Sequence, residues 1–356
     1  MRPRFMSDQT LSNAARRIEE HVVAHRLNEV NIVFHGGEPL LLGPSRLEAF
    51  CSFLRENISC KVRFGLQTNA TLINERFIEV FRKFKIGVGV SVDGLPSDHD
   101  KFRVFRNGAP SSPLVQRGLN LLAANKEIFG GILCVINLVN DPIRTYEYLT
   151  STGARQIDFL LPHGNWVRLP PGIQHPDEAI KYADWLLSIF DIWYESEEAP
   201  SIRIFESIMR LLLGKRSLVE SIGPDPVDLV VIEADGQIEA VDSLKSCYEG
   251  AAYTGLSVSR NSFDEALKHP AILSRQLGVG SLCQTCQSCK YVSVCGGGYQ
   301  PHRFSSDSGF LNPSVYCSGL MLMINRIATR MGDDFSQAGH EAPPRIKEMR
   351  GARKLS

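Results

Sequence analysis

The chain lacks any excess of one charge. Its 39 Lys and Arg offset 39 Asp and Glu, so it has no bulk field to draw nucleic acid or an anionic membrane. It also lacks a long apolar run, and nothing approaches the ~18–20 residues that cross a bilayer. The opening MRPRFMSDQT has no apolar core of a signal peptide, and no internal repeat is present. These absences lead to the expectation of a cytoplasmic protein with no nucleic-acid and no membrane partner. Thiols stay reduced in that compartment, so a cysteine cluster there is expected to bind metal rather than to form disulfides.

Cysteine is what the chain does concentrate. Of nine cysteines, Cys283, Cys286, Cys289, Cys295 and Cys317 fall within 35 residues. The first three are spaced by two residues, and Cys295 runs into Gly296-Gly297-Gly298-Tyr299. Zinc sites commonly use two Cys-x2-Cys pairs across a longer loop, and here the second pair is missing. Iron–sulfur clusters accept a compact run plus one remote cysteine. Cys286, Cys289, Cys295 and Cys317 are therefore the expected ligands, with Cys283 a spare or a fifth thiol. Cys51, Cys60 and Cys134 lie in helix or strand contexts and read as small packing residues; Cys247 is ambiguous.

The rest of the chain alternates between helix and strand character. Residues 8–26 carry apolar side chains at helical spacing behind Ser7 as N-cap. Strands are expected at 30–35, 62–68, 86–92, 132–139 and 156–161, with helices at 45–57, 74–84 and 112–127. Asp141-Pro142 opens a further helix as N-cap and first residue, and Gly153 suits its end. Such alternation with short connections implies an α/β fold with a parallel sheet, open or closed into a barrel. The chain opens on a helix, whereas a parallel barrel usually opens on a strand. After residue 161 a Pro/Gly-rich stretch marks a boundary, followed by helices near 177–195 and 201–213. Residues 229–241 then read as a hairpin around Asp235-Gly236, and 318–331 as an apolar helix.

Small polar residues gather at the C-terminal ends of the strands, where parallel α/β folds bind ligands. His35-Gly36-Gly37-Glu38-Pro39 closes the first strand, and its glycines free the backbone for a ligand while Glu38 offers a carboxylate to an ammonium group. Gln67-Thr68-Asn69, Ser91-Val92-Asp93-Gly94, Asn137 and His163 follow the next four. Each could instead cap a helix. His99, Asp100 and Arg103 either contact an anionic group or form a surface ion cluster.

Taken together, IVFHGGEPLLLG, LQTNATLI and GVGVSVDGLPSDHDKFR resemble radical S-adenosylmethionine enzymes that carry a C-terminal auxiliary-cluster (SPASM) domain. The stretch SCKYVSVCGGGYQPHRFSSDSGFLNPSVYC resembles that domain in peptide maturases of the Phe-x-Ser type. The resemblance covers about residues 1–330. It implies a partial TIM barrel with the first strand missing (1–165), a helical connection (166–225), a SPASM-like iron–sulfur domain (226–331) and a disordered tail (332–356). It implies that Gly36, Gly37 and Glu38 bind the methionine amino group of S-adenosylmethionine. Ser91 would lie near the ribose or carboxylate, and Asn69 and Asp93 would face cofactor or substrate, Asp93 being the catalytic candidate. Cys286, Cys289, Cys295 and Cys317 would hold one auxiliary [4Fe–4S] cluster, since Tyr299 stands where fuller versions of the motif place another cysteine.

The family's Cys-x3-Cys-x2-Cys motif, which holds the radical-generating cluster, belongs just before RPRFMSD, and the sequence begins at that segment. The expectation is an N-terminally truncated enzyme that modifies or cross-links a side chain of a ribosomally made peptide or protein, served by an electron donor. The alternative is a catalytically inactive paralogue that binds a peptide or partner. A zinc-stabilised α/β enzyme of another kind is a third reading.

Overall fold

A computed structural model describes residues 3–350. The first helix, Asp8–His25, is capped by Ser7, whose side chain accepts from the Thr10 N–H. Six parallel strands follow: β1 (Glu29–Phe34), β2 (Lys61–Thr68), β3 (Gly87–Ser91), β4 (Phe129–Val135), β5 (Gln156–Leu160) and β6 (Ser201–Ile202). They pair in chain order, β1-β2-β3-β4-β5-β6. That order, with each strand beside its sequence neighbour, is how barrel walls are built; doubly wound sheets reverse direction instead. The α/β expectation and its parallel sheet hold.

The strands form where β-branched residues alternate with polar ones. In β2, Val62, Phe64, Leu66 and Thr68 are buried while Lys61 and Arg63 are exposed. The fourth strand sits about three residues earlier than the 132–139 expected from its apolar residues. Gly130 and Gly131 look like breakers in sequence but instead admit close neighbours. A Cβ on Gly131 (φ +136°) would lie 2.6 Å from the Gln156 carbonyl, so glycine is what lets β4 lie against β5. The sixth strand is only two residues long and replaces the start of a helix expected from 201; the helix itself runs Arg203–Leu212.

One charge lies deep in this sheet. Asp158 on β5 is 3% exposed and accepts from Arg203 at 2.5 Å. Burial pushes its carboxyl up against the downward pull of Arg203. Arg203→Met would strand the carboxylate. Because Arg203 is about one-third exposed, we expect a loss of about 2–3 kcal/mol, less than a fully buried pair costs. In urea unfolding the midpoint should fall with m unchanged; an unmoved midpoint would mean the pair is energetically neutral.

Buried side chains form two clusters. The larger joins the sheet, its helices and the long helix Cys317–Gln337, which packs on helix Ile180–Glu195. The smaller gathers Ile238, Ala240, Val241, Leu244, Phe263 and Ile272 around the antiparallel strands β7 (Val231–Ile232), β8 (Gln237–Glu239) and β9 (Tyr253–Ser257), and takes Ala14 from the first helix. The hairpin expected at 229–241 is present as β7 and β8. The expectation of a disordered tail from 332 is corrected: the long helix continues to Gln337, and helix Pro344–Met349 buries Ile346 and Met349 completely. Two apolar anchors outweigh the polar, basic composition there. The remaining tail residues, 351–356, lie outside the described residues. Among the described residues, no helix is long and apolar enough to cross a membrane.

Candidate functional site

The C-terminal ends of the strands are tied together side chain by side chain. Glu38, after β1, turns its carboxylate toward β2: Oε1 accepts from Thr68 Oγ1 at 2.8 Å and from the Leu40 N–H at 3.0 Å, and Oε2 accepts from the Asn69 N–H at 2.9 Å. Gln67 Nε2 on β2 donates to Ser91 Oγ on β3 at 3.0 Å. Asp93 reaches β4, accepting from the Val135 N–H at 3.0 Å. A carboxylate offers about four lone-pair sites, so Glu38 has spent three within the chain. Gly36 (φ +79°) and Gly37 stand in front of this knot with nothing within 4 Å of an added Cβ.

The loop after β3 is similarly committed. Arg103 Nε donates to Asp93 at 2.5 Å. His99 is buried; its Nδ1 accepts from the Asp93 N–H at 3.3 Å, which leaves Nε2–H to donate to Ser111 Oγ at 3.1 Å. Ser111 donates in turn to the Arg103 carbonyl. Burial lowers the His99 pKa, in keeping with a neutral ring. Asp100 accepts from the N–H groups of Ser111 and Ser112, both at 2.9 Å, at the start of helix Ser112–Ala123. Asn69 accepts from the Thr71 N–H and hydroxyl. These residues thus hold the rim, and neither an isolated helix cap nor a loose surface ion cluster describes them.

The loop after β5 joins the rim to the cysteine-rich region. Tyr316 donates to the Pro162 carbonyl at 2.7 Å, and Trp166 Nε1 to the Pro313 carbonyl at 2.8 Å. His163 stacks near Tyr299 and meets His302 edge-on, with centroids 6.3 and 6.2 Å apart. The Tyr299 hydroxyl donates to Glu220 at 2.7 Å and shares a hydrogen bond with Ser243, while Glu220 pairs with Arg275.

His302 is 2% exposed, and its Nε2 finds no partner among the described residues. Burial pushes it down to about 3, helped by His163. Its folded value lies below the ordinary ~6.5, so the stability it contributes is full above about pH 6.5 and is lost as pH falls toward the folded value. His99 and His163, also lowered by burial, act in the same direction. We expect Tm to drop between pH 7.5 and 5.0, and His302→Phe to shrink that drop; an equal drop in the variant would remove His302 from the account.

All five clustered cysteines are free thiols, each influencing or influenced by the others. Cys286 hydrogen-bonds Cys283; burial first, then that contact, pushes it up to about 12. Cys295 is pushed to about 12 by burial and by Cys317, while the N–H groups of Gly297 and Gly298 pull it back. Those N–H groups can face the sulfur because Gly296, Gly297 and Gly298 all take positive φ (62°, 79° and 66°). Any Cβ on Gly296 would lie 2.0 Å from the Gly223 carbonyl. Cys317 begins a helix of 21 residues, whose N-terminus favours an anion.

Arg303 makes the strongest test of what the thiols hold. It is 6% exposed and its Nε and Nη1 have no acceptor among the described residues; burial lowers its pKa, opposed by Cys286, Cys283 and Cys295. A buried guanidinium without acceptors requires an anion beside it. Neutral thiols do not provide one; thiolates on an anionic cluster do. The donor set therefore fits an iron–sulfur cluster. Cys51 and Cys134, by contrast, are buried in the sheet and its helix with thiols raised by burial, as packing residues should be. Cys247 packs in the smaller core, its thiol 3.7 Å from the Pro301 carbonyl.

No protein-family model matches the chain. It is 26% identical over 321 residues to a cysteine-type anaerobic sulfatase-maturating enzyme of Clostridium perfringens, spanning 88% of this chain and 84% of the relative. It is 23% identical over 357 residues to a serine-type anaerobic sulfatase-maturating enzyme of Bacteroides thetaiotaomicron, spanning 92% and 82%. Its fold superposes on the solved structure of native anSMEcpe with bound AdoMet and Cp18Cys peptide with a TM-score of 0.79 at 22% identity, covering 94% and 91% of the two chains. Streptococcus suis SuiB bound to precursor peptide SuiA superposes with a TM-score of 0.54 at 14% identity, covering 86% and 69%. The chain is a homologue of the radical S-adenosylmethionine/SPASM peptide maturases. Its sequence is similar to the sulfatase-maturating enzymes over most of its length. The maturase resemblance drawn from the GGE, SVDG and cysteine segments holds, and the cysteine-rich C-terminal region is compatible with it.

Sequence reasoning missed Arg303, His302 and the Tyr299–Glu220–Arg275 group. The sole signal is that Pro301-His302-Arg303 comes two residues after the glycine run, and burial of a charge leaves no periodic trace.

Proposed function

We propose that this chain is the body of a cytoplasmic radical S-adenosylmethionine enzyme. It would modify or cross-link a side chain of a ribosomally made peptide or protein. The observation that carries the reading is the knot at Glu38, Thr68 and Asn69 behind an open Gly36-Gly37 backbone. It lies at the C-terminal rim of a parallel sheet, where ligands bind.

Gly36 and Gly37 would present backbone carbonyls to the methionine ammonium group, with Glu38 holding that backbone in place. Ser91, fixed by Gln67, and Asn69 would line the remainder of the cofactor site. Asp93, committed to Arg103 and β4, would act as a positioning group. Cys286, Cys289, Cys295 and Cys317 would hold the auxiliary cluster, with Cys283 beside them and Arg303 balancing its charge. Bound there, the cluster would supply a place for an electron. The linked His163–Tyr299–His302 group would form the wall between rim and cluster.

The radical-generating cluster needs thiolates spaced Cys-x3-Cys-x2-Cys. None of the nine cysteines of these 356 residues has that spacing. The same observation favours the second reading, a module that binds peptide without chemistry. Incubation of the protein isolated from its native host with S-adenosylmethionine, reductant and Cys- or Ser-containing peptides decides between them. 5′-Deoxyadenosine with a mass change in the peptide supports the enzyme. Peptide binding with no 5′-deoxyadenosine, from protein isolated from its native host, supports the module.

A further inference from the structure

We propose that His21, His25 and Asp264 form a divalent transition-metal site, built without cysteine, that clamps the first helix to the smaller core. The two histidines are four residues apart on helix Asp8–His25, which places them on one face. His21 Nδ1 lies 2.9 Å and His25 Nε2 2.8 Å from Asp264 Oδ1, and the three ligand atoms lie within 4.8 Å of one another. The two imidazole rings are 4.2 Å apart. Tetrahedral zinc, with bonds of about 2.0–2.2 Å, sets its ligand atoms about 3.3 Å apart. The two nitrogen–oxygen separations therefore need to open by only about half an ångström to take an ion, with solvent in the fourth position.

The ligands are held before any ion arrives. Asp264 sits in the first turn of the short helix Phe263–Ala266, whose start is fixed by a capping box between Ser262 and Glu265. Buried Phe263 meets the His21 ring edge-on at 6.0 Å. Arg17, one turn before His21, donates to the Val258 carbonyl at 3.0 Å and pairs with Glu20, so its charge is already engaged. Two imidazoles and one carboxylate favour Zn²⁺ and its neighbours over Mg²⁺ or Ca²⁺, which prefer all-oxygen sets. The partners are 243 positions apart in sequence, and Ala14 of the same helix already packs in the smaller core. An ion here would close that long loop.

The test uses Co²⁺ alone as the probe on the full chain, because cysteine-bound Co²⁺ gives intense near-ultraviolet charge-transfer bands and a His/His/Asp site does not. Wild type should bind one more Co²⁺ than His21→Ala/His25→Ala, with visible bands lacking sulfur character in the difference spectrum. Zn²⁺ should raise the Tm of wild type by a few degrees more than that of the variant. Asp264→Asn, which preserves shape, should weaken the extra site at least tenfold and keeps the test open if the double variant folds poorly. Equal Co²⁺ stoichiometry and spectra in wild type and either variant would overturn the proposal. The site stands or falls independently of the maturase reading.

Discussion

A chain carrying Cys295→Ser is expected to retain under about one iron after anaerobic reconstitution, where wild type should retain about four. Cys295 is the thiol that the surrounding fold controls most tightly. The Gly223 and Gly298 N–H groups both donate to its carbonyl, at 3.1 and 3.0 Å. Burial, with Cys317 beside it, raises the pKa of its thiol, and the Gly297 N–H lowers it. Serine fits the space, but its hydroxyl does not ionise near neutral pH and is too hard a donor to replace a thiolate on iron. Cys134→Ser is the control: that thiol lies buried in β4, so the variant should keep its iron even where it loses stability. Iron content unaffected by Cys295→Ser would remove Cys295 from the ligand set and with it the role assigned to the glycine run.

Glu38→Gln is expected to raise the Kd for S-adenosylmethionine at least tenfold, or ~1.4 kcal/mol, measured by equilibrium dialysis. The carboxylate faces three donors: the Leu40 N–H, the Thr68 hydroxyl and the Asn69 N–H. An amide can accept on one side only, so its NH2 must confront a donor and the loop carrying Gly36 and Gly37 must shift. Thr68→Val removes one of the three bonds without creating a donor clash and should cost less. Unchanged affinity in Glu38→Gln would separate this knot from cofactor binding.

The fold was legible wherever local chemistry punctuates it. Asp141 caps its helix through the Arg144 N–H and Pro142 takes the first turn, as their types require. β4 shifted because Gly130-Gly131 serves close packing across strands, which sequence cannot distinguish from a break. β6 and β9 went unseen: two residues carry no alternation, and Tyr253–Ser257 is held by pairing with β8. Ile346 and Met349 were hidden in a polar tail because their burial depends on partners far along the chain.

At the site, the identity of the rim residues was legible and their direction was not. Glu38 was expected to face a ligand, yet most of its hydrogen-bonding capacity is turned inward. Arg103 was expected at the surface or on an anion, yet it pairs with Asp93. Arg303 carried no signal at all, although its Nε and Nη1 are buried without an acceptor among the described residues.

The central claim is an iron–sulfur cluster on the clustered cysteines of a radical-enzyme homologue. Its most direct test is iron, acid-labile sulfide and zinc per chain after anaerobic reconstitution of the 356-residue protein. About four irons and four sulfides is the predicted result, with any zinc no more than the one ion per chain that His21, His25 and Asp264 would take. Zinc bound without sulfide would contradict it, and would leave the Gly36–Glu38 rim in need of a different ligand.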